Sequence, residues 1–380
     1  MSLYGRLIAF VAAALLLVIA VLFAVRPAPT GGDEPHETSA DTLVSSAPPP
    51  AVAPELSEET LRSALKELCV DAIRNDAADP RKTNLWRDFP DQRKQQLLDR
   101  LSVSPAAEHL VLAAVLDDDS TSRIGLVERA VWANPHDAFT LWNAVHICSE
   151  EREATGCPLR DWEGQLLRVD GQNSESWIRV AANRYELRDV DGALEALKTA
   201  AASAETRAYW TETIEMAERG LSVAADLSFQ ERAMMAFGIA ASNLPLFGDY
   251  VDMCRAQSAV DVEWAYACVS YGRTLENQGR TYNGVLIGLA IQELSLEALG
   301  DRDGVADLEQ RMAVRSRELS SLVSENMSVA ERLVTSTPDQ FSSYLGSVRR
   351  AGEWNAMAMI AEEVGALLQR EPELACISEP

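Results

Sequence analysis

Positive charge is scarce in this chain. Its 380 residues hold 34 lysines and arginines against 58 aspartates and glutamates, a formal net charge of −24. A surface of that sign repels phosphate backbones and argues against nucleic acid as a partner. It repels anionic lipid headgroups too, except near the few basic residues at the start. The excess of carboxylates serves solubility, or recruits basic partners or cations. Histidine is equally scarce, with four in the whole chain. His36 falls in a polar stretch, and His109, His136 and His146 include no pair at a metal-ligand spacing such as H-x3-H. They read as surface or core residues and not as ligands. The six cysteines contain no C-x-x-C pair, so zinc and thioredoxin-like chemistry have no basis. G-x-S-x-G, H-E-x-x-H and Walker sequences are all missing. No catalytic constellation, cofactor site or metal site is expected. Asp117-Asp118-Asp119 reads as an exposed turn, because a calcium loop needs the wider D-x-D-x-D spacing and a distant glutamate.

What the chain does have begins with Leu7 to Val25, 19 consecutive apolar residues bracketed by Arg6 and Arg26. As a helix this run spans roughly 28 Å, the thickness of a hydrocarbon core. Val25-Arg26-Pro27 is a poor peptidase site, so an uncleaved anchor is expected in preference to a cleaved signal. The N-terminal amine and Arg6 outweigh Arg26, which places residues 1–6 in the cytoplasm and the domain outside. The run holds no ionisable residue, as suits an anchor rather than a channel or relay. Residues 26–55 are rich in Pro, Ala, Ser and Thr and too poor in large apolar residues to pack. They form a linker that holds the domain off the bilayer.

From Leu56 onward the apolar period is helical almost everywhere, and no alternating strand pattern is found. Residues 56–104 give N-terminal helices, with a stripe at Leu61, Leu65, Leu68 and Ala72 and a resumption from Asp91 to Leu101 after Pro90. Ala106–Leu116 pairs with Ser120–Ala133, and Phe139–Glu150 with Leu159–Val169. The hairpin at the centre of the pattern is Ser174 to Ala204. Trp177, Val180, Ala181 and Tyr185 share one face of its first helix, and Ala193, Leu197 and Ala200 one face of its second. The turn falls at Arg188-Asp189-Val190. Such a unit cannot cover its own apolar face and must stack on neighbours.

These residues resemble the tetratricopeptide repeat superfamily, whose 34-residue helical hairpins carry W-x2-L-G-x2-Y, then A-x3-F, then P. Trp177-x2-Val180-Ala181 matches the first part, with Arg184 at the tyrosine position and Tyr185 beside it. Ala193-x3-Leu197 matches the second, and Glu205 stands where proline is usual. One repeat earlier, Ala130 and Pro135 match the end of a second helix, and Leu141 and Val145 begin the next unit. Trp264-x2-Ala267-Cys268-x2-Tyr271 repeats the first-helix spacing. The clear match covers residues 105–204, and residues 205–380 continue as degenerate helical hairpins. There, helices are expected at Tyr209–Arg219, Phe229–Ala241, Val262–Glu276 and Val285–Leu299, with one long helix from Arg302 to about Thr335 and a last hairpin of Gln340–Arg350 and Trp354–Gln369. Gly284 and Gly288 read as close packing between soluble helices and not as a membrane dimer motif. Asn326-Met327-Ser328 is a glycosylation sequon. The fold class is therefore all-α, a repeat array of the α-solenoid kind behind a transmembrane helix.

Cys148 and Cys157 are nearly symmetric about a turn, so antiparallel helices bring them close and a disulfide is expected; the alternative is two buried thiols. For Cys254 and Cys268 the stagger leaves both states open. Cys69 and Cys376 can pair only if the tail folds back or the superhelix closes. An oxidising compartment suits all three pairs. Trp132, Trp142, Trp162, Trp177 and Trp210 recur through the first half. They serve core packing, or some line a groove that anchors a peptide; Trp142, Trp177 and Trp210 are the candidates. The resemblance implies a non-catalytic scaffold that docks a protein or peptide beside the membrane, like bacterial envelope adaptors and assembly factors that serve cytochrome maturation or outer-membrane protein biogenesis. The bacterial inner membrane, with the C-terminal domain in the periplasm, is the expected location. The alternatives are an enzyme or ligand-binding domain acting on the cell envelope, and a structural spacer in a membrane complex.

Overall fold

The computed structural model describes residues 59, 61–66, 91–151, 157, 161–223, 227–243, 247–322, 330 and 332–375. Residues 7–25, the linker, Cys69, Cys376 and the Asn326 sequon lie outside that set. Among the described residues no helix is long and apolar enough to cross a membrane.

Among them, too, every regular element is a helix. In chain order these are α1 (Asp91–Ser102), α2 (Ala107–Leu116), α3 (Ser120–Ala133), α4 (Ala138–Glu150), α5 (Trp162–Asp170), α6 (Ser174–Glu186), α7 (Val190–Ala201), α8 (Trp210–Leu221), α9 (Phe229–Ser242), α10 (Phe247–Ser258), α11 (Val262–Gln278), α12 (Tyr282–Leu299), α13 (Arg302–Leu322), α14 (Pro338–Ala351) and α15 (Glu353–Arg370). The starts have a shared cause. Asp119, Asp137, Asp161, Asn173, Asp189, Ser228, Asp261, Thr281 and Thr337 each sit at an N-cap and accept a hydrogen bond from a first-turn backbone N–H. Ser228 and Glu231 complete a capping box. Pro338 opens α14, where its missing N–H has no cost.

The hairpin of α6 and α7 forms as its sequence pattern predicts. Val180, Ala181, Ala193, Leu197 and Ala200 are buried, Trp177 and Tyr185 are half-buried, and Arg188 takes a left-handed φ of 66° at the turn. Ala130 is buried one repeat earlier, and Pro135 is exposed in its turn. One helix, α10, is missing from the sequence expectation. It carries Tyr250, Met253 and Cys254 into the core but has a polar remainder that hides the stripe. Residues 330 and 332–334 are helical and Thr335 begins the turn ahead of α14; residues 323–329, which would join them to α13, lie outside the described set.

The packing order is not simply sequential. Neighbouring hairpins touch, yet α8 also packs on α2, α11 on α7, α10 on α6, and α14 on α8. In a repeat array that contacts only its neighbours such returns do not occur. They produce two main cores. One joins α1 to α5 with α8, α9, α14 and α15. The other joins α6 and α7 with α10, α11 and Ile291 of α12. Polar bonds follow the same returns: Arg219 pairs with Glu108 at 2.6 Å, Arg100 donates to the Val223 carbonyl at 2.7 Å, and Arg62 donates to Glu371 at 2.7 Å.

The cysteines follow the hairpins. Cys148 and Cys157 lie at disulfide-bonding distance, with Cα atoms 5.5 Å apart, and so do Cys254 and Cys268, at 5.9 Å. The second pair works because α10 and α11 form a tight hairpin that removes the stagger. α11 and α12 pack closest of all, around Gly272 and Gly288. A methyl group at Gly288 would sit 2.6 Å from the Gly272 carbonyl oxygen, so only glycine allows this approach. Gly284 plays no such part; its N–H completes the cap from Thr281.

Candidate functional site

The residues with the most unusual surroundings lie where α5 hands over to α6 and α7 to α8. The polar turn Asp170-Gly171-Gln172-Asn173 precedes α6, and its Asp170 and Asn173 side chains turn inward. Asn173 is fully buried. Its amide nitrogen donates to Asp170 at 2.8 Å and to the Arg207 carbonyl at 2.9 Å. Its oxygen accepts from the backbone N–H of Glu175 at 3.1 Å and of Arg207 at 2.8 Å. Asp170 accepts in addition from Ser176 at 2.5 Å and from the Arg207 guanidinium at 2.9 Å. The Ser174 N–H donates to the Glu205 carbonyl at 2.8 Å. Together these bonds clamp the segment after α7 to the start of α6.

That clamp sets up Tyr209. It is a non-glycine residue in the left-handed region, φ 54° and ψ 25°, and it is buried. Such a conformation costs on the order of 1 kcal/mol and persists only where surroundings fix it. Here Arg207 lies 4.9 Å over its ring, and the rings of Phe139 and Trp142 lie 5.7 and 5.6 Å away. Tyr209 stands at the N-cap of α8 and gives it no side-chain cap.

A cavity of about 210 Å³ opens beside this segment. Its wall includes Glu175, Thr206, Arg207, Tyr209, Trp210 and Glu212, with the α11–α12 turn and the end of α14 opposite. A second hollow of about 400 Å³ adjoins it, sharing Glu205, Thr206 and the turn from Gly279 to Thr281. Five polar atoms of residues in the first wall have no hydrogen-bond partner in the protein and almost no accessible surface: Glu175 Oε2, Thr206 Oγ1, Arg207 Nε, Tyr209 Oη and Trp210 Nε1. Glu175 is 1% exposed and Thr206 4%. Burial pushes the Glu175 carboxyl up to about 7, against the opposing pull of Arg179.

Behind Glu175 runs a buried polar column. Arg179 lies 4.3 Å over the Trp142 ring, and its Nη1 is 2.5 Å from His146 Nδ1. Burial, then Arg179 and Arg123, hold the His146 imidazole well below its usual range. His146 is therefore neutral. A guanidinium only donates, so Nδ1 accepts and the ring proton sits on Nε2, 3.5 Å from Glu150. Tyr250 and Tyr271 lie within electrostatic reach of Glu175 and Arg179, and burial raises both phenols.

The three candidate groove tryptophans separate. Trp142 is wholly buried and lines no groove, because α4 is covered on all sides. Trp177 is half-buried with Nε1 donating to the Gly171 carbonyl at 2.9 Å, so it secures the α5–α6 turn. Trp210 is on the cavity wall. Trp132, by contrast, is 75% exposed. Asp117, Asp118 and Asp119 form an exposed or half-exposed turn in which Asp119 caps α3. Among the described residues no group of His, Cys, Asp and Glu could hold a metal ion. Asp170, Asn173, Glu175, Arg207 and Tyr209 escape the sequence reading. The first two had a signal, a short polar turn before an apolar-periodic helix, but a cap is ordinarily solvated. No protein-family model matches the chain, and no curated protein sequence matches it significantly.

Proposed function

We propose that this protein is a membrane-tethered helical scaffold, related in plan to tetratricopeptide repeat proteins, whose folded part lies outside the cytoplasm and docks a partner protein. The observation that carries this reading is an apolar patch at one end of the second core. Val260, Val262 and Tyr266 stand exposed on the α10–α11 turn and the start of α11, each more than 60% accessible. Gln257 donates to the Tyr185 hydroxyl at 3.2 Å, and this bond brings the α6–α7 turn, with exposed Leu187, to the same end. In a chain of net charge −24, grouped large apolar side chains on the surface mark a contact site. Two cysteine pairs at disulfide distance suit an oxidising compartment, and the apolar run at residues 7–25 suits a tether.

Site-specific photo-crosslinking in the full chain tests this. A photoreactive residue at Val260 or Tyr266 should yield one discrete protein adduct, and one at exposed Asp339 should not. Introducing Val260→Asp should abolish the Tyr266 adduct with the thermal midpoint unchanged. Equal adducts from all three positions, or none, would reject the docking surface.

A further inference from the structure

The apolar patch at the end of the second core has a rim, and the rim has a sign. α11 packs on α7. Lys198 of α7 sits 2.8 Å from Glu195 of its own helix and 2.7 Å from Glu263 of α11, so both carboxylates meet one nitrogen between the two helices. Glu263 follows Val262 in the chain. Val262 and Tyr266, four apart on α11, share its outer face. Asp191 stands one turn before Glu195 on α7 and is exposed. The Tyr185 ring lies 6.2 Å from the Trp264 ring, which holds the end of α6, with Glu186 and Leu187, against the start of α11. An acidic stripe thus runs beside the apolar one.

Six carboxylates are exposed at this end: Glu186, Asp189, Asp191, Glu195, Asp261 and Glu263. Basic groups are fewer. Arg188 is exposed, and Lys198 is shared by two carboxylates. Arg184 donates to the Gly192 carbonyl at 3.2 Å, and Arg255 pairs with Asp252 at 2.5 Å. A second copy in an isologous contact brings two acidic rims together. An anionic lipid surface is repelled outright. A neutral apolar segment covers the carboxylates without pairing them, at a cost in desolvation. Apolar side chains flanked by lysine or arginine satisfy the patch and the rim together.

We infer that this surface takes a short basic amphipathic segment of a partner protein, its apolar side chains on Val260, Val262 and Tyr266 and its lysines or arginines on Asp191, Glu195 and Glu263. The inference rests on the docking surface proposed above and adds the chemistry of the occupant. Apolar contact holds the segment, and the rim orients it and speeds its capture.

Fluorescence anisotropy on the full chain in an uncharged detergent tests this with short labelled peptides. The first carries two leucines one helical turn apart among lysines. It should bind below about 1 mM at low salt and at least about fivefold more weakly when salt rises from about 0.05 to 0.5 M. A second, with glutamate for lysine, should not bind, and a third, with serine for leucine, should bind about tenfold more weakly. Asp191→Asn with Glu195→Gln removes two rim charges and leaves the Lys198–Glu263 pair in place. That double variant should weaken the first peptide about fivefold with the thermal midpoint unchanged. Glu297→Gln with Asp303→Asn, exposed positions beside the α12–α13 turn, removes the same charge elsewhere and should leave binding within about twofold. Equal weakening by the two double variants would reduce the effect to net charge and overturn the inference, as would binding of the glutamate peptide or no binding of the first. Photo-crosslinking at Tyr266 separates the two readings. A discrete adduct that survives the rim changes, or that joins two copies of this chain, keeps a contact surface and overturns the basic segment. Absence of any adduct from the unchanged chain removes the docking surface and the segment with it.

Discussion

The backbone carbonyl of Arg280, in the α11–α12 turn, accepts a 2.7 Å hydrogen bond from the backbone N–H of Glu353, in the α14–α15 turn. The side chains repeat the exchange in both directions. The Arg280 guanidinium donates to the carbonyls of Arg349 and Arg350 and so caps the end of α14. The Glu353 carboxylate accepts from the Tyr282 N–H at 3.0 Å and so caps the start of α12. Gly352, at a φ of 83°, leaves no side chain to push the two turns apart. Each turn thus adds a cap to the helix of the other.

Arg280→Ala should therefore loosen both turns together. A loss of about 1–3 kcal/mol is expected in denaturant unfolding, the value of hydrogen bonds to a charged donor. Hydrogen exchange should show lost protection at the last turn of α14 and the first turn of α12. Loss confined to α14 would mean that the two turns are not coupled.

Asn173 is a sharper case, because its side-chain hydrogen bonds are all to buried or half-buried groups. Asn173→Ala removes the α6 cap and leaves Asp170 and the Arg207 backbone underpaired. A loss of more than about 2 kcal/mol is expected from the cap and the unpaired groups together. Asn173→Asp should be worse although it is nearly isosteric, since it sets a carboxylate against the Asp170 carboxylate now 2.8 Å from the amide. Urea midpoints in the order wild type, Ala, Asp would bear this out, and an Asp variant at or above Ala would contradict it.

Glu175 makes stability depend on pH. Its carboxyl titrates at about 7 in the folded chain and at an ordinary 4.5 when unfolded. The folded state therefore holds the proton more tightly, and the stability this contributes is full below pH 4.5 and disappears as pH rises through 7. The separation corresponds to about 3 kcal/mol. Arg179, Tyr250 and Tyr271 are the charged or titratable groups nearby. Glu175→Gln should gain on wild type by about that amount between pH 4.5 and 8. Some slope persists in the variant, because burial raises Glu353 in the same direction. Parallel curves for the two proteins would contradict the assignment.

The local structure was legible in the sequence because its causes are local. Asp119, Asp137, Asp189 and Asp261 cap helices whatever lies beyond them, and the Trp177–Ala200 stripe has one face to bury. The Cys148–Cys157 approach follows from a sequence separation of only 9. The contact of α8 with α2 was not legible, because the apolar faces of Ile214, Met216 and Ala217 would suit any neighbour. α10 was missed because its stripe of Phe247, Tyr250, Met253 and Cys254 is set among polar residues that obscure it. The cavity was hidden for another reason. A glutamate in a helix's first turn is normally a solvated complement to the dipole, and only the tertiary return of the segment after α7 buries Glu175. Nothing in a tyrosine announces a left-handed backbone.

The return of α8 to α2 also bears on how the chain could change over evolutionary time. An open array can gain or lose a hairpin by duplication or deletion, since each unit meets only its neighbours. Here α6 and α7 lie in sequence between two helices that must meet, and α10 and α11 dock on that same hairpin. Adding or deleting one hairpin between α2 and α8 would displace the Glu108–Arg219 partners and uncover both cores at once. The number of hairpins in this stretch is therefore locked, and divergence is confined to surfaces, turns and the lining of the cavity.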